Sequence, residues 1–278
     1  MPESARLVSS SGSPHVWAIA HKPYSCGYLG VQGRTLLPGT AKLVESISNF
    51  FQVMEFSLLF SYGNGPFIYM SANPYWLPLI TSLEDYHQTV TSDVRQELVN
   101  LLDVIPDLVL DIRYATPRNL LGEPLYSLAR AYLRRPVAEA LSRVQHVVKQ
   151  RGLGLCVYDA YRPYEVTVRF YEHVRDQNVA APPWQGSRHN RGCSVDVGLV
   201  EYETGRHLPL PTDFDEVTEA TNSRFSLLPP HILLNRCMLL AAMKQQGFIN
   251  YPGEWWHFDY QGWDEFDLLD LSFEALER

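Results

Sequence analysis

The chain of 278 residues, 46% of them hydrophobic, is long enough for one domain with a sizeable core and a smaller extension. Its formal net charge of −8 at pH 7 and its pI of about 5.6 offer no basic surface that would attract phosphate backbones or anionic lipids. Nucleic acid is therefore not an expected partner.

The cysteine content excludes two kinds of small scaffold. The four cysteines are far apart and form no CxxC pair, so the sequence predicts neither a disulfide framework nor a thiolate zinc knuckle. We expect the four, Cys26, Cys156, Cys193 and Cys237, to be mostly small buried apolar residues.

Membrane spans and export signals are not predicted either. The chain has no run of about 18 uncharged apolar residues. Its first residues lack a basic head followed by an apolar stretch of about 7–15 residues, so a cytoplasmic location is the expectation. If the true start were the internal Met54, the N-terminus would be different and a periplasmic location would be open.

Residues 1–88 mix Ser, Gly, Pro and aromatic residues without a sustained period of 3.6 or 2. We assign no helix or strand there and expect an N-terminal extension of uncertain structure. The regular patterns follow it, so residues 89–278 are expected to form the main domain.

Regular elements are predicted from residue 108 onwards. Alternating apolar residues in LVLDIRY, residues 108–114, predict a strand. A helix is predicted from Pro136 to the stop at Gly152, because apolar residues recur at helical spacing between them. The apolar run LGLCVYD, residues 153–159, predicts a buried strand.

The second half continues this pattern. Helices are predicted over residues 164–176 and 231–247, and strands over residues 193–200 and 254–260. The acidic C-terminal segment, residues 264–278, is expected to be a docking tail or a solvated helix. Because helices and strands interleave through short loops and no GxGxxG loop is present, we predict an α+β layer fold.

The decapeptide SRHNRGCSVD, residues 187–196, places a histidine and an aspartate on either side of a glycine turn. In the strand after Gly192, Asp196 points away from the core-facing valines, and its small neighbours leave room above it. His189 can fold back over the turn toward the same point. Taken alone, the pair also fits a hydrogen-bonded turn histidine and a capping aspartate.

The segment EWWH adds a glutamate and a histidine three residues apart, Glu254 and His257. A mononuclear zinc hydrolase needs three protein ligands, an open position for water and a nearby carboxylate base. His189, Asp196 and His257 would supply two nitrogens and one oxygen. Glu254 would supply the base. EWWH alone would fit an aromatic core strand equally well, but the two segments together favour a metal site.

The two segments resemble the SxHxxGxAxD and ExxH motifs of the zinc D-alanyl-D-alanine dipeptidases, the vancomycin-resistance-type dipeptidase family. This family is more distantly related to D-alanyl-D-alanine carboxypeptidases and to the Hedgehog signalling domain. The segments DIRYAT, DAYRP and TGRHLPLPTDFD resemble further family segments in family order, so the likeness covers about residues 93–265. Cys193 and Ser194 replace the usual small pair at the turn.

The resemblance implies a Hedgehog/D-Ala-D-Ala peptidase-like α+β fold, with a central, mostly antiparallel sheet and flanking helices. Residues 89–278 would then be the catalytic domain. It also implies that His189, Asp196 and His257 hold one Zn²⁺ per chain.

Five further residues receive roles from the resemblance. Glu254 would be the general base and later the general acid, and Arg162 would face the oxyanion that develops during attack. Asp215 would receive the substrate ammonium, and Tyr114 and Ser187 would line the pocket. A guanidinium aimed at the developing charge contributes about 3 kcal/mol to lowering the barrier, by analogy with oxyanion-hole donors.

The implied function is zinc-dependent hydrolysis of the D-alanyl-D-alanine dipeptide, linked to the turnover of cell-wall precursors. Two alternatives stay open: a D,D- or L,D-carboxypeptidase acting on peptidoglycan peptides, and a non-catalytic, zinc-stabilised binding domain. Glu254 and Arg162 favour an enzyme, since a closed structural zinc site needs no base beside an open position. The sequence leaves the oligomeric state open.

Overall fold

A computed structural model describes the backbone of three strands within residues 16–60, and then residues 75, 77–177 and 179–277. Its contacts divide the chain into two units, residues 1–76 and 77–278. The described strands of the first unit are β1 (Val16–Lys22), β2 (Ser25–Val31) and β3 (Phe56–Phe60). They form an antiparallel sheet of order β2-β1-β3, which the sequence patterns did not predict. Met54 lies outside the described residues.

The second unit includes residues that the sequence placed in the extension. Helix α1 (Leu83–Ser92) spans the predicted boundary between residues 88 and 89. It buries Tyr86, whose hydroxyl accepts a hydrogen bond from the backbone N–H of Leu98 at 2.7 Å. The division into an N-terminal extension and a catalytic domain stays a prediction. The boundary predicted between residues 88 and 89 falls inside helix α1.

The second unit is built on a central sheet. Its strands are β4 (Leu79–Ile80), β5 (Leu98–Asn100), β6 (Val109–Leu110), β7 (Tyr132–Arg134), β8 (Leu153–Asp159), β9 (Ser194–Glu201), β10 (Phe248–Asn250), β11 (His257–Tyr260) and β12 (Leu268–Leu269). Five of them form a sheet of order β10-β11-β9-β8-β6, in which only the β6–β8 pair is parallel. The sheet is therefore mostly antiparallel, as predicted.

Helices complete an α+β fold. After α1 they are α2 (Leu101–Val104), α3 (Arg135–Lys149), α4 (Tyr164–Val174), α5 (Pro230–Gln245) and α6 (Phe273–Leu276). Helix α3 buries the predicted apolar stripe, and α4 and α5 follow the predicted helices closely. Among the described residues, no helix is long and apolar enough to cross a membrane.

The first predicted strand, residues 108–114, is mostly not a strand. Only Val109 and Leu110 pair with β8, and residues 113–115 form a 3-10 turn. The alternating apolar pattern correctly indicated which side chains are buried, because Leu108, Ile112 and Tyr114 all are. It did not indicate whether the backbone of this segment pairs with a neighbouring strand.

The C-terminal segment is also different from its prediction. Residues 268 and 269 pair with β4, and Phe266, Leu271 and Phe273 are buried in the core. The prediction of a docking tail or solvated helix is therefore wrong for this part of the chain. Of the cysteines predicted to be mostly buried, Cys156 and Cys193 are buried and Cys237 is exposed, and the side chain of Cys26 lies outside the described residues.

Candidate metal centre

The central sheet brings two aspartates and a histidine into one row. His257 in β11 lies directly opposite Asp196 in β9. Asp196 is paired on its other side with Asp159 at the end of β8, after a register shift that follows Val157. Because residues paired across a sheet point to the same face, the three side chains gather above one side of it.

His189 reaches this row from a 3-10 turn, His189–Arg191, that precedes β9. The turn ends at Gly192, which has a φ of 67°. A Cβ at this position would lie 2.6 Å from the side chain of Leu98, so only glycine fits the bend. The Ser187 hydroxyl accepts a hydrogen bond from the His189 N–H at 3.2 Å and so holds the start of the turn.

Three donor atoms converge above the sheet. His189 Nε2 lies 3.2 Å from His257 Nδ1 and 3.5 Å from Asp196 Oδ1, and His257 Nδ1 lies 3.0 Å from Asp196 Oδ1. A tetrahedral zinc ion with bonds of about 2.0–2.1 Å separates its ligand atoms by about 3.3 Å. The spacing and the N, N, O donor set therefore fit a metal ion of this kind.

The remaining ring nitrogens of both histidines are occupied elsewhere. His189 Nδ1 donates to the carbonyl oxygen of Ala160 at 2.6 Å, and His257 Nε2 lies 3.0 Å from Asp259 Oδ1. Such partners fix which nitrogen of each ring is left for a metal. Although burial alone would raise the pKa of Asp196, the two histidines hold it well below its usual range, so this carboxylate is ionised.

Glu254 lies beside the donor atoms in a turn before β11. The strand predicted over residues 254–260 begins only at His257, and the Glu254 N–H donates to the carbonyl of Tyr251 at 3.1 Å. Its Oε2 lies 3.8 Å from His257 Nδ1. Burial raises the pKa of the Glu254 carboxyl above its usual value. Next to it, the Trp255 indole donates to Thr212 Oγ1 at 2.9 Å, which ties the turn to the long loop before α5.

Arg162 and Tyr114 form one wall of the site. Arg162 follows β8 at the junction with α4, as predicted, and only 8% of its surface is exposed. Its guanidinium carbon lies 4.9 Å from the ring centroid of Tyr114. The same guanidinium is paired with Asp159 through a contact of 2.7 Å.

Asp215 lies on the loop between β9 and α5 with a φ of 61°, which is uncommon for a residue other than glycine. Its carboxylate accepts hydrogen bonds from the Tyr114 hydroxyl at 3.3 Å and from the Leu120 N–H at 3.4 Å. Burial, together with the nearby charge of Asp196, raises the pKa of Asp215 to about 7. The loop is anchored two residues earlier, where Arg113 donates to Asp213 at 2.9 Å.

One cleft of about 480 Å³ joins these groups. It is lined by all eight residues that the sequence singled out: Glu254, Arg162, His189, Asp196, His257, Asp215, Tyr114 and Ser187. The structure thus brings together two segments that are far apart in the chain and the residues assigned by resemblance alone.

Sequence reasoning missed three residues that hold the site together. Asp159 and Asp259 contact Arg162 and His257, respectively, as described above. Asn190 is fully buried, accepts a hydrogen bond from the Ser187 N–H at 2.7 Å and donates to the Arg162 carbonyl at 2.8 Å. The position of Asp159 in DAYRP was a signal for its role, whereas nothing in the local pattern marked Asn190.

Comparisons with known proteins show which family the chain is similar to. A family model described as D-Ala-D-Ala dipeptidase matches residues 94–268. A D-alanyl-D-alanine dipeptidase of Escherichia coli (strain K12) is 33% identical over 179 residues, which cover 64% of this chain and 92% of that protein. A D-alanyl-D-alanine dipeptidase of Enterococcus faecium is 25% identical over 176 residues, which cover 56% of this chain and 87% of that protein.

Among solved structures, the chain is similar to the LdcB LD-carboxypeptidase, with a TM-score of 0.33 and 21% identity over 52% of this chain and 69% of that chain. The family model matches more than half of the chain. The chain therefore belongs to the D-Ala-D-Ala dipeptidase family and is a metallopeptidase.

Proposed function

We propose that this protein is a zinc-dependent dipeptidase that hydrolyses D-alanyl-D-alanine to free D-alanine, in the turnover of cell-wall precursors. The convergence of the His189, Asp196 and His257 donor atoms beside Glu254 is the observation that carries the proposal. The relatives from Escherichia coli and Enterococcus faecium are named for this dipeptidase activity, which supports the choice of substrate.

His189, Asp196 and His257 would hold one Zn²⁺ per chain. Two imidazoles and a carboxylate are a common protein ligand set for a catalytic zinc, which keeps a further position open. Bound there, Zn²⁺ would polarise the peptide carbonyl and lower the pKa of a water molecule to about 7.

Glu254 would take the proton of the attacking water and later deliver it to the leaving amine. Its raised pKa supports both steps, because a carboxylate with a pKa closer to neutrality accepts and returns a proton more readily. Arg162 would face the negative charge that develops on the carbonyl oxygen. Its tight pairing with Asp159 supports this role, since a donor that is already oriented needs no reorganisation during the reaction.

Asp215 would bind the substrate ammonium, with Tyr114 and Ser187 as pocket walls. A carboxylate that lines the cleft favours a free dipeptide, which has an ammonium group, over the interior of a longer peptide. This supports a dipeptidase rather than a D,D- or L,D-carboxypeptidase. We also propose that the fold is of the Hedgehog/D-Ala-D-Ala peptidase type; the cytoplasmic location stays a prediction.

The experiment that tests this function separates metal binding from turnover. The Glu254→Ala variant should keep one zinc per chain, measured by elemental analysis, and lose nearly all hydrolysis of D-alanyl-D-alanine. Glu139→Ala, which removes an exposed glutamate from α3, is the matched control and should change neither quantity. Hydrolysis at the parent rate in Glu254→Ala would contradict the mechanism. A parent protein that binds zinc but cleaves neither D-alanyl-D-alanine nor any other dipeptide in a panel of D and L residues would instead support the non-catalytic alternative.

A further inference from the structure

A second pair of polar residues lies next to the proposed metal ligands on the same face of the sheet. In the antiparallel pairing of β9 with β11, His257 is opposite Asp196, and Asp259 is opposite Ser194. Because side chains alternate between faces with a period of two, both pairs point to the same side. The sheet therefore places the pair of Asp259 and Ser194 next to the pair of His257 and Asp196, on the face where the proposed metal ligands lie.

The Asp259 carboxylate is held on both oxygens. Its Oδ1 lies 3.0 Å from His257 Nε2 and accepts a hydrogen bond from the Ser194 hydroxyl at 2.6 Å. Its Oδ2 accepts a hydrogen bond from Arg188 Nη1 at 2.7 Å. Arg188 is itself held over the ring of Trp263, with 4.6 Å between the guanidinium carbon and the ring centroid.

Both residues of this second pair, Asp259 and Ser194, are buried. Asp259 is 6% exposed and Ser194 is 0% exposed. A buried carboxylate with three donors around it has one preferred position, because every departure from that position breaks a hydrogen bond that water does not replace.

This arrangement determines which nitrogen of His257 is left for a metal. A neutral imidazole has one N–H and one lone pair, and a carboxylate accepts only the N–H. Asp259 therefore keeps the proton of His257 on Nε2 and leaves the lone pair on Nδ1, the atom that faces His189 and Asp196. Carboxylates that accept from a metal-bound histidine also increase its basicity as a ligand.

We infer that Asp259 is a positioning residue for the His257 ring and that Ser194 and Arg188, by holding Asp259, strengthen metal binding at this site. The inference rests on the proposed function in one respect, which is that His257 is a metal ligand. Ser194 occupies the position of the alanine in the motif SxHxxGxAxD, so its hydroxyl adds a donor to Asp259 that the motif does not require.

The test measures the metal itself. The zinc dissociation constant of each variant is determined by competition with a chromophoric chelator, and the visible spectrum of the Co²⁺-loaded protein reports the geometry of the ligands. Asp259→Ala should weaken zinc binding by about 10–100-fold. Asp259→Asn keeps the shape without the charge and should give a smaller loss. Ser194→Ala should give the smallest loss, and all three variants should shift the Co²⁺ bands.

Two matched control variants each remove a carboxylate or a hydroxyl from a residue that does not line the cleft. Asp103→Ala takes away an exposed carboxylate, and Ser92→Ala takes away an exposed hydroxyl at the end of α1. Neither should change the dissociation constant or the spectrum. Circular dichroism melts identify any variant that fails to fold, and Ser194→Ala, which only removes one oxygen, keeps the test decisive if Asp259→Ala unfolds.

Failure of this inference is distinct from failure of the proposed function. If His257→Ala loses zinc while folded Asp259→Asn and Ser194→Ala bind it as tightly as the parent with unchanged Co²⁺ bands, the positioning role is wrong and the metal site stands. If His257→Ala binds zinc like the parent, the ligand set of the proposed function is wrong as well.

Discussion

Arg162 donates two hydrogen bonds to one oxygen of Asp159, from Nε at 3.0 Å and from Nη2 at 2.7 Å. The second Asp159 oxygen accepts a hydrogen bond from the Tyr126 hydroxyl at 2.6 Å. Asp159 is fully buried, so this pair is shielded from water and salt. The aspartate at the end of β8 therefore fixes the orientation in which Arg162 meets the cleft.

Replacing Asp159 with alanine should damage both activity and stability. Without its partner, Arg162 is left as a buried charge that can turn away from the substrate. We expect kcat/KM for D-alanyl-D-alanine to fall by about 10²–10³-fold. The free energy of unfolding in urea should fall by about 3–5 kcal/mol.

The exposed ion pair between Arg169 and Glu123 provides the comparison, because its side chains are 51% and 53% exposed. Glu123→Ala should change the free energy of unfolding by less than about 1 kcal/mol and leave kcat/KM at the parent value. A folded Asp159→Ala variant with parent kcat/KM would show that Arg162 does not depend on this contact.

Asp215→Ala should change the choice of substrate. If the carboxylate binds the substrate ammonium, its loss should raise KM for free D-alanyl-D-alanine far more than for the N-acetylated dipeptide, which has no ammonium group. The two substrates are compared by steady-state kinetics on the parent and the variant. Equal losses on both would remove the argument for a dipeptidase over a carboxypeptidase.

Substrate binding should also depend on the protonation of Asp215. Without a metal ion, the Asp215 carboxylate has a pKa of about 7 and becomes neutral as the pH falls below 7; a cation bound beside Asp196 would move this midpoint to a lower pH. The ammonium of a dipeptide, with a pKa of about 8, stays charged in this range. The dissociation constant should therefore rise as the pH falls, approaching about tenfold per pH unit.

Calorimetry on the zinc-loaded Glu254→Ala variant measures this dissociation constant without turnover. Because the charges of Asp196 and Glu254 both contribute to the raised pKa of Asp215, binding zinc at the first and removing the second should place the midpoint in this variant below 7. Adding Asp215→Asn should flatten the pH profile, and metal content is checked at each pH. A profile that is flat with Asp215 present would contradict the assignment.

Local patterns predicted the parts of the fold that local burial determines. Helix α3 and strand β8 follow the predicted bounds within a few residues, because each has an apolar stripe or run that must face the core. The two motif segments supplied the proposed metal ligands and Glu254, and the turn at Gly192 with the alternation after it fixes where His189 and Asp196 point. Arg162, Asp215 and Tyr114 lie outside these segments and were assigned from the family resemblance.

Long-range contacts account for what the sequence did not predict. The contact of Ser194 with Asp259 joins positions 65 residues apart and depends on the register of β9 with β11, which no local pattern specifies. The C-terminal leucines at positions 268 and 269 become core residues only because β12 pairs with β4. Apolar spacing in an acidic segment cannot distinguish this case from a solvated helix.

Gly192→Ala tests how strictly the turn must place His189. Alanine at a φ of 67° adds about 1–2 kcal/mol of backbone strain, and its Cβ would also lie 2.6 Å from Leu98 and 3.3 Å from the backbone nitrogen of Arg134. Gly122→Ala isolates the first effect, because Gly122 has a φ of 72° and nothing lies within 4 Å of the added Cβ. We expect Gly122→Ala to lower the free energy of unfolding by about 1–2 kcal/mol with normal zinc affinity. Gly192→Ala should be less stable still and should bind zinc more weakly, since the contact of the new Cβ with Leu98 and Arg134 displaces the turn that carries His189.

Equal zinc affinity and equal stability in the two alanine variants would contradict this expectation. The turn would then tolerate displacement, and the position of His189 would be set instead by its hydrogen bond to Ala160.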